Sequence, residues 1–213
     1  MCIRDRYYRG KEEAEGIFFN LAYTYYHTGE YITASHYFQN FSSTFSNSQR
    51  KEEADYMYAY SYYKLSPNFK LDQSYSIKSS EAFQIFANKY PDSKRITEVN
   101  RLLDDIRRKL EEKAFHQGYL YHQLSQYQSA VRSLEILLKD YPGSPFEDQA
   151  KLLLIKSSYN LADNSIEEKK LERFEETSTY CLKYMDKLKD KKGNKEIKDI
   201  HNKCISKIKS LKA

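Results

Sequence analysis

The sequence predicts an all-α protein, an α-solenoid of about four helix pairs followed by a C-terminal helix. Three observations support this prediction. The 213 residues include only 6 Gly and 4 Pro, whereas 21 Tyr and 11 Phe supply large side chains in the absence of Trp. Apolar residues recur at the three- and four-residue spacing of amphipathic helices. A short segment also recurs along the chain, which is typical of stacked repeats.

The recurring segment marks the end of each helix pair. It reads IFANKYPDSKR at 85–95 and ILLKDYPGSPF at 136–146, and STFSNSQR at 43–50 is a third copy that lacks the proline. The serines of successive copies are 45 and 51 residues apart. A proline cannot continue a helix, and the serine that follows it can cap the next helix. The segments therefore delimit four repeats, near 11–45, 50–90, 94–141 and 145–188.

The repeats resemble the tetratricopeptide pattern. In the first repeat, Ala22 and Ala34 take the small positions of the paired helices, and Gly29 lies in the turn between them. In the third repeat, Gly118 and Ala130 occupy matching positions, which indicates that Gly118 is a packing glycine inside a helix. We expect Ala22, Ala34, Gly118 and Ala130 to be buried where helices approach closely.

These signals predict nine helices. The expected ranges are 11–28, 31–45, 50–65, 74–89, 94–124, 127–140, 145–162, 166–188 and 195–211. The helix at 94–124 is unusually long, because Ile96, Val99, Leu103 and Ile106 keep a regular helical spacing with charged residues between them. At 1.5 Å per residue this helix would be about 45 Å long.

Charge is concentrated at the C-terminus. Residues 183–213 contain 11 lysines and four acids, a balance of +7, so the rest of the chain carries −2 of the total of +5. This basic segment, with its helix in 191–213, either forms a solvated terminal helix or attracts an acidic partner. Nucleic acid is disfavoured as that partner, because the segment has no arginine and few aromatic residues.

No catalytic, cofactor or metal motif is recognisable in the sequence. His116 and His122 are six residues apart and would lie on different faces of a helix. The three cysteines form no CxxC pair. Acidic pairs such as Glu52-Glu53, Asp104-Asp105 and Glu111-Glu112 are expected on solvated helix faces. We therefore predict a non-enzymatic binding protein without a cofactor or metal.

Two stretches are similar to one particular family. SYYKLSPNFKLDQSYSIKSSEAFQIFANKYPDS at 61–93 resembles the BamD family, the lipoprotein subunit of the bacterial outer-membrane β-barrel assembly machine. KSSYNLADNSIEEKKLERFEETSTYC at 156–181 is similar to the Bacteroidota branch of that family. The resemblance covers about 11–190. It implies a scaffold on the periplasmic face of the outer membrane, with the barrel subunit, other assembly lipoproteins and unfolded outer-membrane proteins as partners.

The same resemblance bears on the N-terminus. Family members begin with a signal peptide, an acylated cysteine and one further repeat, so we expect the native beginning and its lipid anchor to be missing. MCIRDR at 1–6 resembles the translation of a sequencing transposon end, and we expect it to be a scar. Cys2 lacks the apolar segment that a lipidation site requires, because only Met1 precedes it.

The repeat register and the resemblance together predict two binding surfaces. A peptide groove along the first helix of each pair would be lined by Phe19, Tyr23, Tyr26, His27, Tyr56, Tyr60 and Tyr63. The barrel subunit would dock on the C-terminal repeat and tail, at Lys183, Lys187, Lys191 and Lys192. The alternatives are that several of these rings only pack against neighbouring helices, and that the lysines only solubilise the tail. A different function remains open as well: a generic tetratricopeptide adaptor, either an envelope coordinator or a cytoplasmic clamp for peptide tails.

Overall fold

The computed structural model describes residues 12–212, and this part of the chain contains helices and no strand. The helices are α1 (Glu12–His27), α2 (Tyr31–Thr44), α3 (Lys51–Leu65), α4 (Ser74–Lys89), α5 (Ile96–Gln123), α6 (Tyr127–Asp140), α7 (Glu147–Asp163), α8 (Glu167–Tyr184) and α9 (Lys191–Lys212). This arrangement confirms the predicted fold class, four consecutive helix pairs and a C-terminal helix. None of the described helices is long and apolar enough to span a membrane. The predictions for 1–6 and for Cys2 lie outside the described residues.

The chain divides into two units, and the first extends to Lys109. Its core is aromatic: Phe38 and Phe41 of α2 and Phe83 of α4 are fully buried. Ala22 and Ala34 are also fully buried, as predicted, because small side chains allow the helices of a pair to approach closely.

The insertion between α3 and α4 forms a compact loop around Gln73. The Gln73 side-chain amide donates hydrogen bonds to the backbone carbonyls of Asn68 at 2.9 Å and Leu71 at 3.1 Å. Its carbonyl accepts a hydrogen bond from the Ser76 hydroxyl at 2.7 Å, and Ser76 in turn pairs with Ser66. The side chain is almost completely buried. One glutamine therefore holds the insertion loop to the first turn of α4.

The second unit begins at Leu110 and contains the rest of α5 and helices α6 to α9. Gly118 is buried inside α5, and a Cβ atom there would lie 2.7 Å from the Leu134 side chain of α6. The prediction of a packing glycine is thus confirmed, and Ala130 is fully buried as well. Helix α9 packs on α8 and also reaches α7.

The boundary between α8 and α9 differs from the prediction. Helix α8 ends at Tyr184 and not near 188, and α9 begins at Lys191 and not near 195. The Asp190 carboxylate caps α9 by accepting hydrogen bonds from the backbone N–H groups of Lys192 and Gly193, each at 3.0 Å. Gly193 and Asn194 suggest a helix break in the sequence, but they lie within the capped first turn.

Candidate functional site

Five tyrosine rings form a continuous ladder along α1 and α3. From Tyr23, successive ring centroids are 6.5 Å apart to Tyr26 and 6.3 Å to Tyr60. Tyr60 then stacks on Tyr56 at 5.5 Å and on Tyr63 at 5.8 Å. We call these five residues the tyrosine ladder. The structure thus brings together all the tyrosines predicted for the groove.

Two of the predicted groove residues belong to the core and do not present free faces. Phe19 is only 8% exposed, because its ring packs against Phe41 at 5.1 Å and Phe38 at 6.2 Å. Tyr56 is 3% exposed, because its ring contacts the Phe83 and Phe86 rings of α4. The prediction that Phe19 and Tyr56 line the groove is therefore wrong, and the alternative of packing against neighbouring helices holds for these two rings. Repeats bury large side chains at such positions to fill the space between paired helices.

The remaining predicted groove residues are accessible. Tyr23, Tyr26, Tyr60 and Tyr63 are partly exposed. His27 is exposed, and its ring stacks on Tyr23 with centroids 5.9 Å apart and an interplanar angle of 27°. The accessible part of the ladder is therefore shorter than predicted, and its centre lies at Tyr26 and Tyr60.

Carboxylates on the first helix of the following pair accept hydrogen bonds from hydroxyls of the ladder. The Tyr23 hydroxyl donates to Glu53 Oε1 at 2.6 Å, and the Tyr63 hydroxyl donates to Asp105 Oδ2 at 2.8 Å. Burial and the Asp105 hydrogen bond raise the pKa of Tyr63 to about 12. Burial and then the hydrogen bond to Glu53 likewise raise the pKa of Tyr23. These phenols stay protonated at neutral pH and act as donors to the protein itself.

Burial also raises the pKa of Tyr56, and so do the charge of Glu98 and a hydrogen bond to it. Two ladder tyrosines, Tyr56 and Tyr63, thus bond to acids of α5 at the same sequence separation, 42 residues. The equal separation follows from the register of α3 against α5. The same type of contact is therefore repeated along this face.

Two cations that pair with the acids of this network also lie against rings of the ladder. The Arg95 guanidinium lies over the Tyr56 ring, 4.3 Å from its centroid, and 3.5 Å from Glu53. The Lys109 ammonium lies 5.2 Å from the Tyr63 ring and 3.3 Å from Asp105. Cations over aromatic faces are favourable, so these contacts fix the orientation of the rings.

The acids of this network were not recognised from the sequence. Glu53 and Asp105 belong to pairs expected on solvated faces, yet each accepts a ladder hydroxyl. Glu111 is also not solvated: it is 3% exposed and accepts a hydrogen bond from Ser144 at 3.2 Å. The usable signal in the sequence was the repeat register. It places an acid on the first helix of one pair opposite a tyrosine on the first helix of the preceding pair.

The arrangement suits the binding of an extended or amphipathic segment. Three ladder hydroxyls are occupied by carboxylates, so the rings offer mainly their faces and edges to a ligand. Aromatic faces bind apolar, aromatic and cationic side chains. Within residues 12–212 no cluster of three or more His, Cys, Asp or Glu side chains could hold a metal ion.

The predicted docking lysines lie at the junction of α8 and α9, and all four are exposed. The loop that displays them is firmly held. The Asn194 side chain exchanges hydrogen bonds with the backbone of Leu188, and the Lys189 N–H donates to Asp148 at 2.9 Å. A Cβ atom on Gly193 would lie 2.9 Å from the Leu188 Cδ1 atom, so Leu188 would have to shift to admit a larger residue at this turn.

Other lysines of the basic segment have a structural role. Lys198, Lys207 and Lys212 form ion pairs with Asp186, Asp163 and Glu175 respectively. In the described part of the chain, the ammonium groups of Lys187, Lys191 and Lys192 make no such pair. Positive charge is therefore unneutralised near the α8–α9 junction.

The fold and these surfaces define the class: an all-α repeat protein whose candidate sites are an aromatic ladder and a charged surface on consecutive helices. The sequence matches the model of the YfiO family, described as outer membrane lipoprotein, over residues 3–114 and 108–182. The chain belongs to this family, which confirms the resemblance at the level of the family. No curated protein matches the chain.

Proposed function

We propose that this protein is a non-enzymatic scaffold subunit of the outer-membrane protein assembly machine. Membership of the outer membrane lipoprotein family supports this role over that of a generic adaptor. In this proposal the full-length protein is held by a lipid anchor at the periplasmic face of the outer membrane. Its partners are the barrel subunit, other assembly lipoproteins and unfolded outer-membrane proteins.

The tyrosine ladder is the observation that carries the proposal. Carboxylates and cations of the neighbouring helices hold Tyr23, Tyr56 and Tyr63. The rings of Tyr26 and Tyr60 contact these held rings, so the ladder loses little side-chain entropy when a client binds. Unfolded barrel proteins alternate apolar and polar residues and carry aromatic girdles. An extended strand of this kind can lay its aromatic side chains on the accessible rings of Tyr26 and Tyr60.

The test compares substitutions in the ladder with a control substitution beside it. Tyr26→Ala removes a ladder ring, whereas Tyr25→Ala removes the adjacent ring, which stacks instead on Tyr37 at 5.0 Å. Binding of a labelled peptide from the terminal strand of an outer-membrane barrel protein would be followed by fluorescence anisotropy. Loss of one aromatic contact costs about 1 kcal/mol, so we expect Tyr26→Ala combined with Tyr60→Ala to weaken binding at least about tenfold.

Circular dichroism of each variant serves as the folding control. We expect the variants to fold, because the rings of Tyr26 and Tyr60 are only half-buried. Tyr25→Ala is expected to keep the affinity of the parent. Unchanged affinity of the double variant would remove the ladder from client binding. A loss of equal size in Tyr25→Ala would show that general destabilisation is the cause.

The α8–α9 junction supplies the second surface of the proposal. We assign Lys183, Lys187, Lys191 and Lys192 to docking of the barrel subunit's periplasmic domain. The support for this assignment is the unneutralised charge and the firmly held loop described above. Complementary charge speeds association with an acidic partner and fixes its orientation.

A further inference from the structure

Helix α3 also borders a pocket on the face opposite the tyrosine ladder. The ladder residues Tyr56 and Tyr60 lie on one side of the helix, and Tyr58 is two residues from each, a rotation of about 200°. Beside Tyr58 the helices α2, α3 and α4 line an open pocket of about 390 Å³. We call it the α3 pocket. The ladder and its proposed clients do not involve this cavity.

The wall of the α3 pocket formed by α4 is apolar. Ala82 and Ile85 line the cavity together with the ring of Tyr58. Ile85 is 65% exposed, although the Phe86 side chain next to it is buried in the core. Exposed apolar surface beside a cavity of this size is typical of a site that receives an apolar side chain.

The rim of the pocket is cationic. Lys51 is the first residue of α3, where the helix dipole disfavours a positive charge. Among residues 12–212, its ammonium donates to the Ser46 carbonyl alone, at 3.1 Å. Lys89 pairs with Asp55, and Asp55 also accepts a hydrogen bond from the Tyr90 hydroxyl at 2.7 Å. Among the residues that line the pocket, two ammonium groups and one already occupied carboxylate leave a balance of +1. A carboxylate of a ligand could pair with the Lys51 ammonium, which hydrogen-bonds to a backbone carbonyl and makes no ion pair within the described residues.

We propose that the α3 pocket binds a short segment of a partner protein in which a bulky apolar side chain lies next to an acidic one. The apolar side chain would occupy the cavity against Ile85 and Tyr58, and the carboxylate would pair with Lys51. Ala82 and Lys89 are seven residues apart on α4, about 10 Å, so the site accommodates one anchor and its neighbours. The proposal does not depend on the function proposed above.

The third repeat offers a matched control. Aligning ILLKDY with IFANKY places Ile136 at the position of Ile85 and Asp140 at that of Lys89. Ile136 is also exposed, at 50%. This repeat therefore displays an exposed isoleucine with an acid in place of the cation Lys89.

The probe is a random peptide library displayed on phage and selected on the full chain, with the selected peptides then synthesised and labelled. We expect peptides that combine a large apolar residue with adjacent Asp or Glu. Ile85→Ser and Lys51→Glu should each weaken their binding at least about tenfold, whereas Ile136→Ser should leave it unchanged. Because Ile85 is an exposed side chain, circular dichroism should show Ile85→Ser to be folded.

Four results would overturn the proposal. The first is that no peptide is enriched, and the second is that enriched peptides carry no acidic residues. The third is equal binding to the parent and to Ile85→Ser. The fourth is competition for the ladder, seen as loss of binding in Tyr60→Ala with retention in Ile85→Ser, which would assign the peptides to the proposed client site. Failure of the ladder in client binding would leave the α3 pocket unaffected, so the two proposals are tested separately.

Discussion

The hydrogen bond between Tyr63 and Asp105 links two ionisable side chains whose pKa values move in opposite directions. Burial alone would raise the pKa of Asp105, but the Tyr63 hydroxyl and the nearby Lys109 and Arg108 lower it. The pKa of Tyr63 rises from 10.0 to about 12. The protonated Tyr63 side chain therefore stabilises the folded state at pH values below the ordinary tyrosine pKa. This contribution is lost as the pH rises from 10 through 12.

Asp105→Asn removes the negative charge and leaves a weaker acceptor for the phenol. We expect the pKa of Tyr63 to fall from about 12 towards 10, because burial still raises it but the Asp105 charge no longer does, while Arg101 favours the phenolate. The measurement is tyrosinate absorbance against pH, taken as the difference between each protein and the same protein carrying Tyr63→Phe. An identical titration midpoint with and without the Asp105 charge would contradict this contact.

Two glycines in helices should respond to alanine in opposite directions. At Gly118 a Cβ atom would meet Leu134 at 2.7 Å, so Gly118→Ala should destabilise by about 1–3 kcal/mol through overpacking. At Gly16 the nearest atom would be an arginine nitrogen at 3.9 Å, so Gly16→Ala should stabilise by about 0.5–1 kcal/mol. Urea unfolding of the two variants and the parent provides the comparison. A stabilising Gly118→Ala would contradict the close approach of α5 and α6.

At the scale of single residues, the sequence predicts packing better than it predicts polar contacts. Ala22, Ala34 and Ala130 are buried as expected, because small residues at repeat positions have one purpose, the close approach of helices. The burial of Tyr56 could not be predicted, since tyrosine suits both a groove and a core edge. The roles of Glu53 and Asp105 depend on which tyrosine lies opposite each acid, and in the sequence only the repeat register carries that information.

At the scale of elements, the helix bounds were predictable where turn chemistry is explicit. Helix α4 spans 74–89 as predicted, between the insertion and the YPDS turn. The α8–α9 boundary was missed because Asp190, Gly193 and Asn194 are all turn formers by composition. Which of them caps the helix depends on a backbone conformation that Leu188 and Asn194 hold by mutual hydrogen bonds.

Helix α9 is an integral part of the second unit. Ile197 is fully buried against its core, whereas Ile205 on the same helix is 36% exposed. The interpretation of a purely solvated terminal helix therefore does not hold for the apolar face of α9. Its buried face and its ion pairs fix the helix against the preceding repeat.

Ile197→Ala should accordingly destabilise the protein by about 2–5 kcal/mol, because it leaves a cavity in a filled core. Ile205→Ala serves as the control and should cost less, since Ile205 is already 36% exposed and its truncation leaves no closed cavity. Thermal unfolding followed by circular dichroism distinguishes the two variants. If both lowered the melting temperature equally, or neither did, the packing of α9 described above would be wrong.

At the scale of the whole molecule, charge is distributed unevenly along the chain. Residues 183–213 carry +7 and the rest carries −2, which together give the total of +5. The sequence predicts this imbalance fully, but it does not show which lysines are engaged. Ion pairs to Asp163, Asp186 and Glu175 engage part of the charge within the protein. What remains near the α8–α9 junction can act over a distance on an acidic partner.

Charge reversal tests whether this remaining charge serves the proposed docking of the barrel subunit. Lys187→Glu with Lys191→Glu alters the junction, and Lys203→Glu with Lys209→Glu makes the same change in net charge elsewhere on the tail. Both pairs are exposed, so neither should unfold the protein. We expect the junction variant to weaken binding of the barrel subunit's periplasmic domain about tenfold at low salt, because complementary charges at an interface are lost.

The control pair should cause a much smaller loss, and the difference between the two variants should shrink at roughly 1 M salt, where the Debye length is about 3 Å. Surface plasmon resonance at several salt concentrations gives the association and dissociation rates separately. Steering by the junction predicts that the association rate carries most of the change. Equal losses in both variants would show that net charge alone matters, and an unaffected junction variant would exclude these lysines from the interface.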